Sequence, residues 1–272
     1  MKRMHKQLLI MVPLAAIWLI PLLWMVVLAL TPNNLVQQNT IRLLPAEPTL
    51  ENLVSVIRRG LTMRWFMNSM IVAVSTTVLV ALSQAMAAYA IARIPFRGRV
   101  IVYPLILAGL MVPREAMFVP LFLMFAEWSA HNTYAALVLP RVAIPLGVFL
   151  VTQFMLAIPR EVEEATQIDG AGRWTAFWKI VLPMSLPALT ALSVFTFIQT
   201  WNDYLWPLVS ATRKEMSTIT TGLASLQGNF GQSTVPGSLM ARGVVAALPL
   251  LVLFFIFQKN LIRGISMTSG GK

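Results

Sequence analysis

The chain of 272 residues is 57% hydrophobic and 11% charged, and its mean hydropathy of +0.74 lies outside the range of soluble globular domains, so it is read as an integral membrane protein. It has no cysteine and two histidines, the isolated His5 and His131, which excludes disulfides and thiolate sites and argues against a metal centre or catalytic triad. The formal charge of +11 would suit nucleic acid in a soluble protein, but in a membrane chain an excess of Lys and Arg reports topology, and no nucleic-acid partner is expected.

In chain order, Leu8 to Leu30 and Met67 to Ala92 carry no charge, and each is long enough to cross a hydrocarbon core of about 30 Å. Lys2, Arg3 and Lys6 flank the first as in a signal peptide. Its apolar run is too long for one, however, and no small-residue cleavage site follows before Thr31, so it reads as a retained anchor. The second carries Ala81, Ala85 and Ala88 at helical spacing, which allows close helix contact. Further spans are expected at about Val100 to Phe125, Ala135 to Ala157, Leu182 to Pro207 and Leu239 to Leu261, the third and fourth of the six interrupted by Pro and a charge. The expected fold is an all-α membrane protein with six transmembrane helices. Residues 1–66 would be the anchor and first outer loop, and residues 67–272 the core.

Alternating the loops places Lys2, Arg3, Lys6, Arg93, Arg97, Arg99, Arg160, Arg173, Lys179, Lys259, Arg263 and Lys272 on one side of the membrane. The smaller set of Arg42, Arg58, Arg59, Arg64, Arg213 and Lys214 falls on the other. The positive-inside rule then makes both termini cytoplasmic, together with the segment from Glu161 to Pro183. Trp65, Tyr103, Trp128 and Trp206 fall near span ends, where an aromatic belt would put them.

The cytoplasmic segment reads EVEEATQIDGAGRWTAFWKIVLP. Pro159 suits a first helical turn, and Glu161, Glu163 and Glu164 follow where carboxylates favour the positive end of the helix dipole. Asp169, Gly170, Ala171 and Gly172 supply turn chemistry. Trp174, Phe177, Trp178 and Val181 then recur at helical spacing before Pro183, giving a second short helix with an aromatic face. An amphipathic helix lying on the bilayer has the same period. Three carboxylates beside anionic lipid argue against it, and a protein-docking knob with aromatic anchors fits better.

The run E-A-T-x-x-D-G-A, with I-x-L-P at Ile180 to Pro183, resembles the EAA loop of ATP-binding-cassette importer permeases. Glu164, Ala165, Asp169, Gly170 and Ala171 match that pattern, and Thr166 stands at its second Ala. The resemblance extends through W-N-D-Y-L-W-P-L (Trp201 to Leu208), N-T-Y-A-A-L-V-L-P (Asn132 to Pro140) and the tail from Ala247 to Gly264. It points to the carbohydrate-uptake branch, similar to the smaller membrane subunit of the maltose system. At the end of the chain, Ile265 and the missing final Gly depart from the family's glycine-rich ending, which weakens an inferred tail contact with the ATPase.

The resemblance implies that this loop, with Glu161, Trp174, Phe177 and Trp178, fits a cleft on an ATP-hydrolysing subunit. It further implies two such ATPase subunits, a homologous second permease, an extracytoplasmic solute-binding protein and a multi-pass location in the inner membrane. The chain itself lacks G-x-x-x-x-G-K-[ST], so ATP and Mg²⁺ would belong to the partner ATPases, and no cofactor or enzymatic activity is expected here.

Charges within spans are costly and mark pathways by default. Arg114 and Glu115, directly after Pro113, would either line a cavity or form an internal pair capping a broken helix. Arg141 would sit at the outer end of the fourth span, and Arg242 would snorkel outward. Trp201, Asn202, Asp203 and Tyr204 combine ring faces with hydrogen-bonding groups, a mixture that suits sugars and equally suits the outer interface. Gln227 to Ser238 reads as either a probe toward the binding protein or a linker. A stand-alone ion-coupled transporter or channel would require midplane carboxylate pairs and an internal repeat, and it gives no reason for the cytoplasmic knob.

Overall fold

The structure is a computed structural model. It describes residues 2–37, 47–58, 60–168, 170–227 and 236–269, with side chains described for these except 2–10, 37, 165–168, 227 and 259–269. Among the described residues the regular secondary structure is all helical, with no strand. In chain order the helices are α1 (Lys2–Ala29), α2 (Asn33–Gln37), α3 (Glu51–Arg58), α4 (Thr62–Arg93), α5 (Arg99–Ala108), α6 (Phe118–Glu127), α7 (Tyr134–Val138), α8 (Pro145–Leu156), α9 (Glu161–Ile168), α10 (Arg173–Ala176), α11 (Leu182–Met184), α12 (Leu186–Trp201), α13 (Leu205–Ser210), α14 (Ile219–Gln227) and α15 (Pro236–Ser269).

Three segments among them, Met11–Ala29, Thr62–Arg93 and Pro236–Gln258, are long and apolar enough to cross a membrane alone. Three further helix pairs are apolar enough only when each pair is taken together, which makes up to six candidate spans: Arg99–Met111 with Arg114–Glu127 at 94°, Tyr134–Arg141 with Pro145–Ala157 at 50°, and Arg173–Met184 with Leu186–Trp201 at 72°. Each break has a local cause. Pro113, extended at φ −66° and ψ 137°, stops the first pair. Pro145 opens the second half of the next, and Pro187, at the start of α12, has no N–H to continue the ladder. The fifth span was expected to be continuous from Leu182 to Pro207. It instead bends at Ser185 and ends at Trp201, since Pro187 breaks one end and the non-helical Asn202–Asp203 step the other.

The chain divides into two compact units, one grouping Met1–Met67 with Thr218–Leu251 and the other grouping Asn68–Ser217 with Val252–Lys272. In the first, Ala29, Val56, Ala241 and Val245 form the core. Buried Asn52 donates to the carbonyls of Ala29 (3.1 Å) and Thr31 (2.9 Å), which answers acceptors left open at the end of α1. Trp65 is also buried in this unit, 5% exposed, and its ring occupies the space beside Gly222 that a side chain there would need.

The second unit has two apolar clusters. One joins Ala85, Ala88, Tyr89 and Ala92 of α4 to Val151 and Met155 of α8, to Phe177 and Val181, and to Leu189 and Leu192 of α12. The other joins Val72 to Phe125, Ala136, Leu137, Val138, Trp206 and Ala211. Small residues at 85, 88 and 92 on one stripe of α4 bring its axis close to its neighbours.

The expected aromatic belt is corrected at two of its four positions. Trp65 and Trp206 are buried, and the Trp206 indole N–H donates to the Ala136 carbonyl at 2.7 Å. An internal acceptor, not the headgroup region, satisfies that ring. Trp128 is exposed, and the Tyr103 hydroxyl accepts from the Gln153 amide at 3.1 Å.

Gly147 of α8 is a packing requirement: a Cβ there would lie 3.0 Å from Gln84 Cγ and 3.2 Å from Leu192 Cδ2. Gly147→Val is expected to cost about 1–3 kcal/mol through overpacking. Gly172→Ala, whose Cβ would meet nothing within 4 Å, should leave stability unchanged. Thermal unfolding of the detergent-solubilised chain checks both.

Candidate functional site

The segment 159–183 is built from two short helices around a glycine turn. Glu161, Glu163 and Glu164 occupy the first turn of α9, and the Arg160 carbonyl accepts the N–H groups of Glu163 (2.9 Å) and Glu164 (3.0 Å). Gly170 has φ +81°, a conformation that L side chains rarely adopt, so this turn requires glycine. After Gly172 the chain enters α10 and then a π turn at Phe177–Val181, a widened helical turn that is often found at functional positions.

Burial divides the segment's side chains into two groups. Glu161, Glu164, Gly170, Trp174, Trp178 and Pro183 are exposed, Ala171 and Ile180 are half-buried, and Glu163 and Phe177 are buried. The Trp174 and Trp178 rings meet edge to face with centroids 5.7 Å apart. The expected aromatic face is therefore split, and Phe177 is corrected from exposed anchor to core. It is 1% exposed and packs on Tyr89 with centroids 5.0 Å apart. The π turn shifts Phe177 and Val181 toward α4 and leaves the two Trp outside. Asp169 lies outside the described residues, as does most of the expected probe at 227–238, and of Ala165 and Thr166 only the backbone is described.

Two groups on the last turn of α4 hold this segment. The Arg93 guanidinium pairs through Nε with Glu163 Oε1 at 2.7 Å, both side chains nearly fully enclosed. Its Nη2 donates to the carbonyls of Met155 and Ile158, each at 2.7 Å. One turn earlier, the Tyr89 hydroxyl donates to the Arg173 carbonyl at 3.2 Å. In the sequence, Arg93 reads only as a topological charge and Glu163 as one of the acids presented to the cytoplasm. The available signal was spacing, because Tyr89 and Arg93 continue the stripe of Ala85, Ala88 and Ala92.

The second polar cluster joins the two other quoted stretches, Asn132–Pro140 and Trp201–Leu208. Asn132 takes a left-handed φ of 62°, accepts the Arg213 N–H at 2.7 Å and donates its own N–H to the Ser210 carbonyl at 2.7 Å. The Tyr134 hydroxyl donates to Asn68 Oδ1 at 2.7 Å, and the Asn68 amide donates to the carbonyls of Glu215 and Ser217. Arg141 forms an ion pair with Asp203, their side chains 8% and 14% exposed. Arg141 thus sits inside the break of the fourth span, paired with the residue expected in the pathway. Gln84 donates to the Val142 carbonyl in the same break at 2.8 Å.

The remaining residues expected in the pathway separate by exposure. Arg114 and Glu115 are exposed in the turn after Pro113, as are Asn202 and Tyr204. The Asn202 amide donates back to the Ile198 carbonyl at 2.9 Å. Trp201 is corrected: it is 2% exposed and stacks on Phe197 at 5.8 Å and 10°, so it offers no free face to a sugar. Arg242 is half-buried.

Residues 84–267 match the family model described as binding-protein-dependent transport system inner membrane component. The chain is 34% identical over 261 residues to the arabinooligosaccharides transport system permease protein of Halalkalibacterium halodurans, covering 95% of this chain and 92% of that one. It is 32% identical over 260 residues to the trehalose/maltose transport system permease protein of Thermococcus litoralis, covering 93% and 91%. Its fold resembles a chain in the crystal structure of a bacterial ABC transporter involved in import of the acidic polysaccharide alginate, with a TM-score of 0.85 at 19% identity over 94% of this chain and 95% of that one.

Asp203→Ala would leave the Arg141 charge enclosed without its partner and is expected to destabilise the chain by about 3–5 kcal/mol. The double change Arg141→Met with Asp203→Leu removes both charges and should restore most of that loss. Thermal unfolding in detergent measures each, and equal midpoints for the single variant and the parent would show the pair to be energetically silent.

Proposed function

The chain belongs to the family of binding-protein-dependent transport system inner membrane components, whose members are transporter subunits and not enzymes, and we propose that it forms, with a homologous second permease, the membrane channel of an importer for a sugar or sugar-like oligosaccharide. Two ATP-hydrolysing subunits on the cytoplasmic side supply the energy and hold the ATP and Mg²⁺. An extracytoplasmic binding protein delivers the solute. The names of the relatives support a saccharide as the solute class.

Both termini and the segment 159–183 face the cytoplasm, in keeping with the larger set of Lys and Arg on that side. Residues 1–66 serve as the anchor and first outer loop, and residues 67–272 carry transport. The observation that carries the reading is the split character of segment 159–183. Its inner side is fixed to α4 by Glu163, Phe177 and the Arg173 carbonyl, while Glu161, Glu164, Trp174 and Trp178 remain exposed.

An exposed Trp pair on a rigid support is what a docking anchor requires. Closure of the ATPase pair moves the segment as one body and drives alternating access of the bundle. Ala165, Asp169, Gly170, Ala171, Ile180 and Pro183 shape the turn and its return to the fifth span. At the outer end, Arg114, Glu115, Asn202 and Tyr204 contribute polar groups to the pathway, and Asp203 acts there through Arg141.

Gly170→Pro forces φ to about −65° where the turn needs a positive value. ATP-driven uptake by vesicles carrying all subunits, measured with labelled arabino-oligosaccharides, trehalose and maltose, should fall to background while membrane insertion is unchanged. Normal uptake would remove the coupling role. Trp174→Ala with Trp178→Ala removes two anchors of hot-spot type, together on the order of 2 kcal/mol or more. Recovery of the ATPase with the tagged permease should then drop by at least about tenfold. Purification of the parent chain without any ATPase, under conditions where control complexes survive, would defeat the importer reading itself.

A further inference from the structure

We propose that Arg93 is a positioning residue that carries movement of the coupling segment into the fourth span, with Glu163 on its input side and the end of α8 on its output side. This rests on segment 159–183 being the ATPase-coupling loop. One planar group holds Glu163 through Nε and, through Nη2, the carbonyls of Met155 and Ile158. The Met155 carbonyl lies in the last turn of α8, where it also accepts the Ile158 N–H at 3.2 Å, and the Ile158 carbonyl lies just beyond that helix end. The loop and α8 therefore share a side chain that belongs to neither.

The junction is stiff because it is enclosed. A charged pair with both side chains this buried cannot be separated without leaving an uncompensated charge in a poorly solvated site. The loop and the end of α8 consequently move together, or the junction breaks. At its other end, α8 begins at Pro145, directly after the break of the fourth span, and Gln84 of the same helix α4 holds the Val142 carbonyl in that break. Between the two attachments runs the single helix α8, and Gly147 lets it lie against Gln84 and Leu192. A displacement of the loop pulls one end of α8 through Arg93. The Gln84 contact is the fulcrum, and the non-helical backbone at residues 142–144 is where the rotation is absorbed.

A purely structural anchor would be lost together with assembly, whereas a transmission element can be cut while assembly persists. The test uses the complete complex, co-purified with its native partners and placed in lipid nanodiscs. Since the chain has no cysteine, an Ala143→Cys variant places the chain's one thiol in the break. Its reaction rate with a charged methanethiosulfonate reagent is read by mass spectrometry, without nucleotide and with ATP plus vanadate. Recovery of the ATPase is read in parallel.

In the parent background the labelling rate should change with nucleotide; an unchanged rate would overturn the proposal. Arg93→Met should keep ATPase recovery and ATP hydrolysis but lose the nucleotide-dependent change at position 143. Retention of the parent's change would overturn the proposal. Should Arg93→Met fail to assemble, Glu163→Gln decides in the same way, because it removes the charge on the input side and leaves both carbonyl bonds of Arg93 in place. Arg93→Lys keeps a charge for Glu163 but lacks the planar fork, so it should restore only part of the response. Unaltered ATPase recovery in the Trp174→Ala, Trp178→Ala variant would instead count against the coupling loop itself, whatever Arg93 does.

Discussion

The ion pair between Arg93 and Glu163 is the constraint around which the loop end of the second unit is arranged. A guanidinium at the last turn of a long apolar helix must find acceptors or reach water. Here three acceptors come to it: a carboxylate from α9 and two carbonyls from the end of α8. Burying a charge is unfavourable unless partners and hydrogen bonds compensate it. Enclosure therefore obliges α8 and α9 to end and begin within reach of one α4 side chain. The path of the intervening residues 157–160 follows from that requirement, and so does the side of α9 that faces solvent.

Helix α4 acts as the spine of this unit because its side chains are small where neighbours must approach and polar where backbone must be held. Ala85, Ala88 and Ala92 are fully buried and set the distance to α8 and the π turn. Gln84, Tyr89 and Arg93, interleaved with them, each donate to a main-chain carbonyl of another element. Those carbonyls lie at a helix break, at the start of α10 and at a helix end. Polar side chains on an otherwise apolar helix are thus matched to interruptions in its neighbours, as a low-dielectric surrounding demands.

The interruptions are also where the chemistry collects. Arg141, Gln84 and the Val142 carbonyl meet at the break of the fourth span, Asp203 follows the end of α12, and Arg114 and Glu115 follow Pro113. Proline removes a donor and bends the chain, which opens room for charged groups that a straight span would exclude. Family membership accounts for the whole as one subunit of an importer, and the bent spans are the elements on which alternating access can act.

The sequence by itself determined a helical protein with several apolar segments, two of its three Pro-broken helix pairs and the turn at Gly170, because apolar run length, proline and positive φ are local properties of the chain. It also placed Glu161, Glu164, Trp174 and Trp178 on one segment around that turn. Which members of that segment face inward was decided only by tertiary structure. Glu163 and Glu164 are adjacent acids with the same helix preference, and period alone cannot say that one meets Arg93, far away in sequence, while its neighbour stays in solvent. The same holds for Phe177 among three aromatics, for Trp65, Trp201 and Trp206, and for Arg141 with Asp203. Partner choice depends on the folding of distant helices against each other, and a π turn of a few residues rotates an amphipathic face that a regular helix would have kept whole.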